Sequence, residues 1–154
     1  MGFYLLPLIV LSFFLGIFSI DRTQASNILP PPAVIQAAQA GPMFVSYCQA
    51  VSNYQRDNPA FSGSVPAAAL AAYGFTPSTT FQTSAGNVIT NTSPVVLTCY
   101  AALPPGSLRS AFDSTDGDAS LGIASGSSWS SYAGTVTALA SPVPSGDVVY
   151  VVQP

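Results

Sequence analysis

The chain has 154 residues, room for one domain at the usual ~100–150 residues each. Its hydrophobic share of 49% suits a folded protein, but only 6% of residues are charged, against ~25% in ordinary domains, and Lys, Glu and His are absent. Three scattered arginines, Arg22, Arg56 and Arg109, cannot build the basic patch that phosphate backbones need. Without His, Glu or Lys, nothing is suited to proton transfer near neutral pH or to activating a serine or cysteine nucleophile. Nucleic-acid binding and enzymatic activity are therefore not expected, nor is a cofactor.

The first element is the run Phe3–Ile20, FYLLPLIVLSFFLGIFSI, uncharged and about as long as a bilayer-spanning helix. Residues 1–22 read as a transmembrane anchor or signal segment, contacting the membrane through residues 3–20. Small residues around Ala25 suit a signal peptidase, while the length of the run and the missing basic leader favour a retained anchor. Anchor and cleaved signal both stay open. Residues 23–42 read as a Pro/Ala-rich spacer: Pro30-Pro31-Pro32 is stiff, Ala33–Ala40 can form a short helix, and Gly41-Pro42 breaks or kinks it.

Residues 43–154 read as an α+β domain outside the cytoplasm. From Met43 to Asp57, Phe44, Tyr47, Cys48, Val51 and Tyr54 fall on one face of a helix. Phe44, Tyr47, Val51 and Tyr54 are candidates for either a partner contact or a face packed on a core. Asn58-Pro59 stops this helix, because the residue before proline is pushed out of helical geometry. A short helix from Pro66 to Tyr73 ends at Gly74, and another lies near Ser107–Phe112.

Four runs rich in β-formers, 85–90, 95–100, 134–139 and 148–152, predict an antiparallel sheet packed on the helices in two layers. The Gly/Ser-rich stretch Gly122–Ser128 reads as a loop. Cys48 and Cys99 are the only cysteines, and an even count behind an export signal reads as one disulfide. Closing a loop of about fifty residues would add roughly 4 kcal/mol on the chain-entropy account.

Three carboxylates, Asp113, Asp116 and Asp118, share one loop, but the spacing misses a calcium-binding loop and no Glu supplies a bidentate ligand. The loop reads as a solvated turn, and no metal is expected. Asn91-Thr92-Ser93 carries no specific information. Trp129 reads as partly buried core.

The residues Phe44-x-x-Tyr47-x-x-Ala50-x-x-x-Tyr54, then Asn58-Pro59-x-Phe61-x-Gly63-x-Val65 with Leu70 beyond, resemble the PilM proteins of conjugative thin pili, a branch of type IVb pilus systems. Leu121-Gly122-Ile123 and Pro144-x-Gly146-x-Val148-Val149 are similar to the same family. The resemblance implies a pilin-like two-layer domain behind an N-terminal apolar helix. It also implies a structural or assembly component of the pilus at the bacterial inner membrane, with a periplasmic domain and with pilins or inner-membrane pilus assembly proteins as partners. A surface-exposed minor pilin or adhesin that binds receptors or recipient cells is the alternative.

Overall fold

A computed structural model describes residues 30–76 and 78–153. The apolar run 3–20 and the candidate cleavage region lie outside them, and among the described residues no helix is long and apolar enough to cross a membrane. The compact unit described below is Ala33–Pro154.

Helix α1 spans Pro32–Asp57. Pro32 opens it, as its fixed φ and missing N–H suit a first turn. The helix then runs without a break through Gly41-Pro42, which corrects the expectation of a spacer ending there. Pro42 has no N–H to give Ala38, and the Ser110 hydroxyl donates to the Ala38 carbonyl instead, at 3.1 Å. Gly41 is buried, and a methyl group there would collide with the backbone of Ser107–Ala111. A contact from outside the helix therefore compensates for the proline.

The helix ends as expected at Asp57. Asn58 returns both its backbone N–H (3.0 Å) and its Nδ2 (2.9 Å) to the Tyr54 carbonyl. Helix α2, Ala67–Leu70, continues as a 3-10 turn over Ala71–Tyr73, and Gly74 closes it at φ 80°, where only glycine is unstrained. Helix α3, Thr79–Ser84, was not foreseen. Its start is secured by the Ser78 hydroxyl, which accepts from the Phe81 N–H at 3.3 Å. Helix α4 is Ser107–Ser114, close to the expected position.

The sheet has five antiparallel strands: β1 (Ala85–Thr90), β2 (Val96–Ala101), β3 (Leu121–Ser131), β4 (Val136–Val143) and β5 (Val148–Val152), in the order β1-β2-β5-β3-β4. Strand β3, the longest, replaces the loop expected at Gly122–Ser128. Its Ser and Gly content hides it, and its pairing depends on its neighbours: Leu121–Ile123 align with β5, and Gly126–Ser130 align with β4 across an irregular step. The sheet curls there, bringing β4 back toward β2, with which it shares no ladder.

Alternation along the strands divides the sheet's two faces. Leu97, Cys99, Ala101, Leu121 and Val148 point toward α1, joining Phe44, Tyr47, Cys48 and Val51 in the main core. Tyr100, Ala124, Trp129, Val143, Val149 and Val151 lie on the opposite, concave face in a second apolar cluster. Asn87 is the one strongly polar member of the first layer. Its Nδ2 donates to the Tyr47 hydroxyl at 2.7 Å and the Val65 carbonyl at 3.1 Å, and its Oδ1 accepts from the Val65 N–H at 2.7 Å.

The close approach at Gly41 makes that position the most sensitive in α1. Gly41→Ala should destabilise the fold by about 1–3 kcal/mol, the usual range for overpacking, seen as a lower Tm. Ser110→Ala should cost about 1 kcal/mol by leaving the Ala38 carbonyl without its donor.

Candidate functional site

Of the helix residues singled out by spacing, Phe44, Tyr47 and Val51 are at most 5% exposed and sit in the chain's own core. Tyr54 is half-buried at its rim, edge-on to Phe61 and Tyr73 at 5.2 and 5.8 Å. Tyr47 meets Phe75 and Phe81, each at 5.4 Å, and burial pushes its phenol above the ordinary tyrosine range. Gln55, placed away from the apolar stripe by its polarity, is buried: its Nε2 donates to the Pro59 carbonyl at 3.3 Å and its Oε1 has no partner among the described residues. This stripe packs into the chain's own core.

Cys48 on α1 and Cys99 on β2 are both buried in the main core as free thiols, where a disulfide was expected. Burial, and then the contact with Cys99, raises the Cys48 thiol well above its usual pKa, so it stays protonated and poorly nucleophilic.

The acidic loop after α4 divides its carboxylates among separate partners. Asp113 lies 3.8 Å from Arg109 in an exposed pair of little energetic weight. Asp116 takes a positive φ of 53°, which Asp tolerates in a turn. Asp118 turns inward, accepting from the Tyr150 hydroxyl at 2.6 Å and from the Ser120 N–H at 2.8 Å. Among the described residues no three metal-ligating side chains converge.

Asp118 is among the residues lining a groove of about 820 Å³ over the second face of the sheet. Trp129, Thr137 and Leu139 line one side of it, Val96, Val151 and Val152 the other. Two glycines of the sheet are covered by aromatic rings. The Tyr100 ring covers Gly86 and the Trp129 ring covers Gly122, and a methyl group at either position would collide with the ring above it. Trp129 is 7% exposed, and its Nε1–H meets no acceptor among the described residues. Sequence reading missed this groove because β3 went unrecognised. The signals present were the alternation of Val149 and Val151 with Tyr150, and of Thr137 and Leu139 with Ala138.

Asp118 also gives a pH signature. Burial alone would raise its pKa, but the Tyr150 hydroxyl and the Ser120 N–H outweigh it and hold the carboxyl below the usual carboxylate value. A lowered folded-state pKa contributes stability above the unfolded value of ~3.9 that disappears as pH falls through the folded value. Wild type should therefore lose stability below about pH 4 more steeply than Asp118→Asn, by an amount on the order of 1 kcal/mol for a partly exposed group. Urea midpoints measured from pH 7 down to about 2.5 check this.

Comparison with known proteins follows the same outline. The PilM family model matches residues 10–151. The crystal structure of the protein PilM from Escherichia coli B7A superposes with a TM-score of 0.60 at 16% identity, covering 80% of this chain and 97% of that one, a likeness of fold. No curated protein sequence matches. With the family match running over most of its length, the chain belongs to the PilM family.

Proposed function

We propose that this pilus-related protein is a structural or assembly component of a type IVb, conjugative thin pilus, acting by protein–protein contacts in the cell envelope. The observation that carries this reading is the PilM match over residues 10–151. The described surface supports it. Both described arginines sit in exposed pairs with a neighbouring aspartate, leaving little charge to repel a partner, and α1 exposes Val34, Ile35 and Met43. Residues 3–20 hold the chain at the inner membrane, the folded domain lies in the periplasm, and pilins or inner-membrane assembly proteins are its partners.

Deleting the chain from a pilus-bearing strain should abolish thin pili by electron microscopy and a plasmid copy should restore them. Normal pilus numbers without it would overturn the reading. Cross-linking in intact cells should recover pilins or inner-membrane pilus proteins. Labelling from outside the cell separates this role from a surface-exposed minor pilin or adhesin, since only the latter is reached.

In an oxidising periplasm the Cys48 and Cys99 thiols, both in the main core, join as a disulfide when a disulfide-bearing oxidant takes up their two electrons and two protons. Protein taken from the envelope, unfolded and alkylated, should be modified at these positions only after reduction. Full alkylation without reductant would place the domain in a reducing compartment.

A further inference from the structure

The two edges of the sheet differ. The β1 edge is partly covered, because Gly63 forms a bridge to Ile89, each N–H donating to the other's carbonyl at 2.9 Å. Among the described residues the β4 edge carries no further strand. Natural edges are usually shielded by charge, proline or a bulge. β4 has an irregular step and Pro142 at its far end, but Val136–Ala140 contains neither charge nor proline, and Val136 is 69% exposed.

The register shows which backbone groups are free. Thr135 accepts from the Ser131 N–H, and the pairs Ser130↔Val136, Trp129↔Thr137 and Ser128↔Ala138 follow in step. In an antiparallel ladder alternate residues exchange bonds, so Thr137 bonds inward to β3 while Val136 and Ala138 turn their N–H and C=O groups outward. The side chains of Thr137 and Leu139 line the groove that opens beside this edge.

From these features we propose that the β4 edge and the adjoining groove bind an extended, mainly apolar segment of a partner protein as a sixth strand, with a cationic group of that segment placed at Asp118. The inference rests on the reading that the chain works through protein contacts, and it names the surface and the chemistry of the occupant. Main-chain bonds to Val136 and Ala138 supply affinity, and apolar side chains on one face of the added strand fill the space between Leu139 and Val151. Charge selects the cation. Asp118 is the only charged residue lining the groove, two of its acceptor positions remain after Tyr150 and Ser120 are served, and both described arginines are on helices, paired elsewhere.

The test pans a random peptide library, of about ten residues to match a strand, against the full-length chain in lipid nanodiscs. Enriched peptides should alternate apolar residues and carry a Lys, an Arg or a free amino terminus toward one end. Trp129 is the only tryptophan, so their binding should shift its emission saturably, and the Val136 and Ala138 amides should gain protection from hydrogen exchange. Ala138→Pro removes an outward N–H without touching the β3 ladder. It should weaken binding by about tenfold or more while the melting curve holds. Asp118→Asn should remove the preference for a cation.

Failure to enrich peptides, or peptides indifferent to Ala138→Pro, overturns the proposal. So does a dimer of the chain, by sedimentation, that Ala138→Pro dissolves, because the edge would then serve a second copy. Full restoration of pili by the Ala138→Pro chain also overturns it, yet leaves the pilus role standing. Pili that persist without the chain sink the pilus role alone.

Discussion

The structure depends on the seating of one long helix across one face of the sheet. Phe44, Tyr47, Cys48 and Val51 present an apolar stripe to Leu97, Cys99 and Leu121, each almost fully buried. In a chain with so few charges, burial of this kind must carry most of the stability, at roughly 25 cal/mol for each Å² of apolar surface removed from water. Polar contacts refine the arrangement rather than drive it. Asn87 is the clearest case: it satisfies the Tyr47 hydroxyl and both backbone groups of Val65, fixing where the helix, the first strand and the loop before Pro66 meet.

Because that helix covers only one face, the other face of the sheet is closed by the sheet itself. The curl at β3 folds β4 over a second, smaller cluster around Trp129 and Val149. Two aromatic rings lie flat against glycines there, with Tyr100 over Gly86 and Trp129 over Gly122, so rings occupy volume that side chains on those strands would otherwise fill. The cluster stops short of the sheet margin, and the groove begins where it stops. A layer completed by curling rather than by a second helix leaves an open side, and this one borders the unpaired β4 edge.

Much of the domain was legible in its residues. Proline and glycine marked the ends of α1 and of the Ala67–Tyr73 helix, and strands β1 and β5 are read directly from their β-branched content. Three features were hidden, each because a distant contact overrides a local preference. Pro42 should interrupt a helix, and Ser110, seventy-two positions from Ala38, gives the Ala38 carbonyl the bond that Pro42 cannot make. The run Gly122–Ser128 has the composition of a loop, and strands on both sides of it impose extension. Gln55 looks like a surface residue, and the close of the helix buries it. The groove was invisible for the second of these reasons, since its floor includes the strand that composition conceals. Family likeness was legible as a resemblance in motifs from Phe44 to Val149, and the family match runs over residues 10–151.

The missing backbone bond at Pro42 bears on how the helix responds to mechanical load. Along most of α1 each turn is held by its own ladder, but between Ala38 and Pro42 the ladder lacks one rung, and the local acceptor is tied to Ser110 on α4. Tension applied from the N-terminal side meets its most compliant point there. That point lies beside Gly41, where α1 comes close to the Ser107–Ala111 backbone, and ahead of the stripe from Phe44 to Val51 that packs on the sheet. The junction can stretch while the rest of the domain keeps its shape.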